Sequence, residues 1–99
     1  MYTECTYYVA IDFEWDHKKA ESNLKKHGVD FADAVSIFDD PNAITLKDVH
    51  EQEQRFISIG IDCFARILVV VYTWRGETIR ITSSRTATKN EQKHYEVGL

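Results

Sequence analysis

The spacing of apolar residues changes at Pro41 and divides the chain into a helical part and a strand-forming part. Before Pro41, four apolar residues recur at the i, i+3, i+4 and i+7 positions that share one face of a helix: Phe31, Ala34, Val35 and Phe38. Asp30 is a suitable N-cap for this helix. Pro41 disfavours helical geometry in the residue before it, so the helix is expected to end there.

An earlier helix is predicted from Asp16, its N-cap, to about His27. Gly28 suits the left-handed position that ends many helices, and basic residues precede it where they oppose the negative end of the helix dipole: Lys25, Lys26 and His27. The connection to the next helix is short, so the two helices are expected to form an antiparallel hairpin.

After Pro41, alternating and β-branched residues predict strands over 43–46, 55–61, 67–72 and 78–83, with a hairpin loop at 74–76. A first strand is expected over 7–13. Thr88 and Glu91 have capping-box spacing, which predicts a short C-terminal helix. The predicted fold is α+β, with an N-terminal helical hairpin packed on an antiparallel sheet and a short C-terminal helix.

The composition indicates one globular domain over residues 1–99, since 99 residues with 43% hydrophobic and 28% charged residues suit a single modest core. No apolar run approaches the ~18 residues of a membrane span, and no secretory signal is recognisable. Two cysteines, Cys5 and Cys63, cannot form a disulfide framework, so a cytoplasmic protein with free thiols is expected. The His and Cys spacings match no metal-ligand motif, and no cofactor is expected.

The charge is unevenly distributed along the chain. Residues 1–65 hold six Lys/Arg against thirteen Asp/Glu, whereas residues 66–99 hold six Lys/Arg against three Glu. This asymmetry indicates a dipolar surface, with one pole suited to a polyanion and the other to a basic partner; an unevenly charged solvated surface is the alternative. The net charge of −4 argues against direct binding of duplex DNA.

Three arginines at strand positions are the candidate phosphate ligands: Arg55, Arg80 and Arg85. We expect them to cluster on one exposed side of the sheet. Cleavage of RNA by its 2′-hydroxyl also needs proton carriers, for which Glu53, Tyr72, His27 and Lys26 are candidates. Each residue also has a purely structural interpretation: Arg80 paired with Glu53, Arg85 bonded to strand-end carbonyls, Tyr72 in the core, and Lys26 and His27 at a helix end.

Two blocks of residues are specific in combination, although the motifs in each are short. The first runs from Phe13-Glu14-Trp15-Asp16 through Lys19, Asn23 and Lys26-His27-Gly28-Val29 to Phe31 and Ala34. The second contains Glu53-x-Arg55, Ile59-Gly60, Leu68 to Val71, Arg75-Gly76 and Arg80-Ile81-Thr82-Ser83-Ser84-Arg85-x-Ala87, followed by Glu91 and Tyr95. Together these blocks resemble the BrnT-type toxins over residues 13–95; residues 1–12 form an extension without a recognised counterpart.

The resemblance implies a RelE-like fold and a type II toxin that acts as a metal-independent endoribonuclease, cleaving mRNA and halting translation. It also implies a BrnA-like antitoxin with a ribbon-helix-helix domain through which the complex contacts DNA. The matching positions give Lys26, His27, Glu53, Arg55, Arg80 and Arg85 as active residues, with Tyr72, Trp74, Arg75 and Tyr95 expected to bind RNA. Similar sequences often have His in place of Tyr72 and a charged or polar residue in place of Trp74. A non-catalytic module that acts with a DNA-binding partner as a corepressor is the alternative.

Overall fold

The structure is a computed structural model that describes residues 11–49 and 54–98. Its elements follow in chain order: β1 (Asp12–Glu14), α1 (His17–His27), α2 (Phe31–Ala34), a 3-10 helix (Val35–Asp39), β2 (Ile44–Val49), β3 (Gln54–Ile61), β4 (Ile67–Arg75), β5 (Thr78–Thr86) and α3 (Lys89–Val97). The described strands form one five-stranded sheet, so the predicted α+β class is confirmed.

Helix α1 begins and ends where the sequence predicts. The Asp16 side chain accepts a hydrogen bond of 3.0 Å from the backbone N–H of Lys19. Gly28 lies in the left-handed region with φ of 72°, and its N–H donates to the carbonyl of Leu24. Both ends are therefore fixed by local capping, which depends on adjacent residues alone.

The second arm of the predicted helical hairpin is not a regular helix. Only Phe31–Ala34 is α-helical, and the chain then tightens into the 3-10 helix Val35–Asp39. The Ser36 hydroxyl donates to the carbonyl of Asp33 at 2.6 Å, a local side-chain bond of the kind that competes with the α-helical pattern. The helical hairpin is therefore not confirmed.

The sheet is mixed, whereas an antiparallel sheet was predicted. Its strand order is β1-β5-β4-β3-β2; β2 to β5 form an antiparallel meander, and β1 pairs with β5 in parallel. Strand β1 is joined to its neighbour by most of the chain, so no tight turn fixes its direction. The predicted strand 7–13 lies partly outside the described residues, and its described end forms part of β1.

The hairpin between β4 and β5 has a tighter turn than predicted. Arg75 pairs with Thr78, which leaves Gly76 and Glu77 as a two-residue loop, and Gly76 has φ of 60°. Trp74 and Arg75, predicted to lie in this loop, are therefore strand residues with fixed faces.

The two faces of the sheet have different surroundings. The helix-covered face packs against α1, α2 and the 3-10 helix and contains the main core, which includes Leu68, Val70, Tyr72, Ile79 and Ile81. The opposite face, here called the open face, carries a smaller apolar cluster around Ile59 and Val69, which α3 covers in part through Tyr95. Polar chemistry on the sheet is therefore expected on the open face.

Candidate functional site

Three arginines lie at one end of the open face and are here called the arginine cluster: Arg55, Arg75 and Arg80. Arg80 pairs across the strands with Thr73, and Arg55 lies next to Thr73 on the other side in the β3–β4 register. Two strand spacings place the Cα atoms of Arg55 and Arg80 about 10 Å apart, which their long side chains can span. Arg75 follows Thr73 by two residues and so shares its face.

Glu14 is the carboxylate that contacts two members of the arginine cluster. Arg80 Nη1 donates to Glu14 Oε2 at 3.0 Å, and Arg75 Nε lies 3.9 Å from the same oxygen. Because two guanidinium groups share one carboxylate, the trio of Glu14, Arg75 and Arg80 carries an excess positive charge. Guanidinium groups so placed are suited to bind phosphate with two parallel hydrogen bonds.

Arg85 shares the open face but lies outside the arginine cluster. It pairs with Val69, four residues along β4 from Thr73, which is about 13 Å. Its two Nη atoms donate to the two carboxylate oxygens of Glu91 at 2.7 and 2.8 Å. The bonds from Arg85 lower the pKa of Glu91 to about 2, and burial opposes them.

Glu91 also accepts the backbone N–H of Thr88, the N-cap of α3, and so completes a capping box. The contacts of Arg85 therefore fix the beginning of α3 against the sheet. A structural role explains this arginine without a ligand.

Tyr72 lies on the helix-covered face, opposite the arginines, and only 4% of its surface is exposed. Its hydroxyl forms a 2.9 Å hydrogen bond with the Ser58 hydroxyl, and its ring stacks on Phe56. Tyr72 is therefore a core residue, in agreement with its structural interpretation, and its role in RNA binding stays a prediction. Trp74 follows it by two residues on the same face and is 44% exposed, so it does not join the arginine cluster.

Tyr95 anchors α3 to the rest of the domain. Its hydroxyl donates to Asp40 Oδ2 at 2.6 Å, which raises the pKa of Tyr95 to about 12. Burial acts to raise the pKa of Asp40, but hydrogen bonds from Tyr95 and from the backbone N–H groups of Ile61 and Asn42 outweigh it and lower that pKa. The Tyr95 ring packs beside Ile59 and Val69. The hydroxyl is therefore already bonded within the protein.

The predicted proton carriers are less closely placed. Lys26 and His27 are exposed in the last turn of α1, and within residues 11–49 and 54–98 no hydrogen bond or ion pair joins either of them to an arginine. Glu53 lies outside the described residues. The sequence reasoning did not single out Glu14, which β1 places directly beside Arg80. The available signal was its position in the Phe-Glu-Trp-Asp block.

An apolar groove of about 560 Å³ lies on the open face between the sheet and α3. Its floor consists of aliphatic residues of the meander: Ile44, Leu46, Ile57, Ile59, Val69 and Val71. Ser83, Asn90 and His94 contribute polar groups to its walls. The alternation of isoleucines in 55–61 was the sequence signal for this surface, but it did not reveal that the surface stays open.

The described residues form neither a metal-binding group nor a membrane-spanning helix. Among the residues that the structure describes, no three His, Cys, Asp or Glu side chains are grouped so as to hold a metal ion. Cys63 is exposed and has a free thiol. The helices in the described ranges are too short or too polar to cross a membrane.

Comparison with known proteins identifies the same family for most of the chain. A family model described as "Ribonuclease toxin, BrnT, of type II toxin-antitoxin system" matches residues 15–91. The crystal structure of the Brucella abortus ribonuclease toxin BrnT is similar with a TM-score of 0.62 and 24% sequence identity, over 81% of this chain and 100% of that chain. Among curated proteins, no sequence matches significantly.

Proposed function

Because the chain belongs to the BrnT family of ribonuclease toxins from type II toxin–antitoxin systems, we propose that it cleaves mRNA and thereby inhibits translation. The arginine cluster on the open face is the observation that supports this proposal most directly. RNA strand scission requires stabilisation of negative charge on the scissile phosphate. Arg55, Arg75 and Arg80 supply cations on one side of the sheet, two of them held by a single carboxylate.

In this proposal Arg75 and Arg80 bind the phosphate oxygens, and Arg55 contacts the backbone of the same RNA strand. Phosphate competes with Glu14 for the two guanidinium groups, since the Glu14 side chain is 39% exposed and can rotate away. A carboxylate next to the bound phosphate can then accept the proton of the attacking 2′-hydroxyl. Glu53, Lys26 and His27 stay candidates for returning a proton to the leaving oxygen.

Family membership also supports the parts of this proposal that concern the fold, the site of action and the antitoxin. The domain is RelE-like, works in the cytoplasm as a single unit without a metal ion, and is neutralised by a BrnA-like antitoxin. That antitoxin carries a ribbon-helix-helix domain, through which the complex contacts DNA.

The test is induction of the chain in a bacterial host, with growth and new mRNA 5′ ends as readouts. Arg80→Ala is expected to abolish both growth arrest and cleavage, because it removes the guanidinium nearest Glu14. Lys18→Ala is the matched control, since it removes one exposed positive charge from α1, away from the cluster.

Cleavage of RNA by the purified variants measures their activity, and urea unfolding measures their stability. The two measurements together separate loss of activity from loss of folding. Arrest by the Arg80→Ala variant at the wild-type level would contradict the assignment of the phosphate site. If the wild-type chain itself causes neither arrest nor new 5′ ends, the non-catalytic corepressor module becomes the better interpretation.

A further inference from the structure

The groove on the open face is unusual in exposing aliphatic side chains beside a charged site. Leu46, in the middle of β2, is 53% exposed, although a leucine gains from burial away from water. Helix α3 has no fully buried residue and covers only the part of this face near Ile59 and Val69. The rest of the groove floor is open to a partner.

The groove is continuous with the arginine cluster. In β4, Val71 of the groove floor precedes Thr73 by two residues, and in β3, Ile57 of the floor follows Arg55 by two residues. The pair Val71 and Ile57 therefore lies about 7 Å along the strands from the pair Thr73 and Arg55. A segment seated in the groove therefore brings its neighbouring side chains to Arg75 and Arg80. The excess positive charge there is complementary to an acidic partner.

Strand β2, which borders the groove, forms the edge of the described sheet. It pairs with β3 on one side, and its other side can offer backbone hydrogen bonds to an extended segment. The groove thus combines an apolar floor, a cationic end and an available strand edge.

We propose that this groove is the docking site for an amphipathic segment of the antitoxin, with aliphatic side chains on the groove floor and acidic side chains against Arg75 and Arg80. This inference rests on the proposed function. It supplies a direct means of neutralisation, because the acidic residues occupy the cations that otherwise bind the RNA phosphate.

The lining of the groove favours a protein segment over a nucleobase. Unpaired bases bind proteins largely by stacking on aromatic rings or guanidinium planes. The described lining residues include no Phe, Tyr or Trp, and their one ring is the imidazole of His94 in a wall of the groove. The one lining arginine, Arg85, is held by both oxygens of Glu91. Aliphatic floors are instead typical of grooves that bind amphipathic peptide segments.

The experiment uses Leu46→Glu with Leu24→Glu as its matched control. Both leucines are about half exposed, at 53% and 46%, but Leu24 lies on α1. The probe is the purified antitoxin encoded by the reading frame adjacent to the toxin gene, titrated into each full-length variant by calorimetry. Leu46→Glu is expected to weaken binding at least tenfold, while Leu24→Glu stays within twofold of wild type.

RNA cleavage and sedimentation of the free variants complete the test. Free Leu46→Glu is expected to cleave RNA as the wild type does, because the leucine is outside the arginine cluster. If circular dichroism shows that Leu46→Glu is unfolded, Leu46→Ser and Leu24→Ser replace the pair with the same expected order of affinities.

Three results would overturn the docking proposal: unchanged antitoxin affinity, reduced RNA cleavage with intact antitoxin binding, or a wild-type dimer that Leu46→Glu dissociates. The second identifies an RNA groove and the third a contact between copies. The titration does not depend on cleavage, so a wild-type chain that binds the antitoxin at the groove but leaves RNA intact refutes only the ribonuclease proposal.

Discussion

Replacement of Asn23 by alanine tests how α1 is fixed to the sheet. The Asn23 side chain is buried, with 7% of the residue exposed. Its amide nitrogen donates to the carbonyls of Ser84 and Val29 at 2.8 and 3.0 Å, and its oxygen accepts from the N–H of Ser84 at 3.1 Å. The Asn23 side chain thus binds the backbone of β5 at Ser84, which lies outside the part of β5 that pairs with β1.

The magnitude follows from the groups left without partners. Each hydrogen bond contributes about 1 kcal/mol net, and a buried polar group left unpaired costs about 1 to 3 kcal/mol. Asn23→Ala removes three bonds and leaves both backbone groups of Ser84 without this partner. We therefore expect the free energy of unfolding to fall by about 3 kcal/mol, which lowers Tm by roughly 15 °C for a domain of this size.

Urea and thermal unfolding measure this loss, with the exposed neighbour Ser22→Ala as a control expected to change the free energy of unfolding by less than about 0.5 kcal/mol. Asn23→Asp keeps an acceptor for the Ser84 N–H but directs a carboxylate at two carbonyls, so it is expected to be destabilised at neutral pH and to recover in acid. A loss below about 1 kcal/mol for Asn23→Ala would refute the reasoning, since the bonds would then contribute little.

The remaining predictions concern α3. Glu91→Gln is expected to lower the free energy of unfolding by about 1 kcal/mol, because the ion pair with Arg85 is partly exposed. The Glu91 pKa is lowered from 4.5 to about 2, so this contribution is complete above pH 4.5 and is lost as pH falls toward 2; denaturant unfolding across that range must show wild type and variant converging. Tyr95→Phe is expected to cost about 1 kcal/mol by loss of the bond to Asp40. Because the Tyr95 pKa is raised from 10.0 to about 12, the wild-type advantage in urea unfolding should persist below pH 10 and vanish as pH rises through 12; a constant difference would exclude this bond as its source.

Features that depend on neighbouring residues were predictable from sequence. The caps Asp16, Asp30 and Thr88 and the αL residue Gly28 lie where local spacing placed them. The parallel pairing of β1 was not predictable, because it joins Glu14 to Arg80 across most of the chain. The shortening of the second helix was missed because apolar periodicity describes which face is buried and not whether the helical bonds are α or 3-10.

The sequence predicted the residue type of the candidate site better than it predicted which individual arginines belong to the site. Arginines at strand positions indicated a phosphate site, but the sequence does not show which carboxylate each one meets. Arg85 meets Glu91 six residues later, which removes it from the cluster, whereas Arg75 moves from a predicted loop into β4 and beside Glu14. For Tyr72 the sequence left a core position and an RNA-binding role open, because burial on the helix-covered face depends on strand pairing.

One extra residue in β5 decides which side chains share the open face. Arg85 lies five positions after Arg80, and regular alternation would place side chains an odd number of positions apart on opposite faces. The register shifts at this point: Val71 pairs with Ser83 and Tyr72 with Ile81, so Thr82 is left as a bulge. The Thr82 hydroxyl donates to the Val71 carbonyl at 3.1 Å and supports this bulge. The bulge therefore lets one strand direct Ile81 into the core, Ser84 toward α1, and both arginines to the open face, so the site and the groove depend on the same local irregularity.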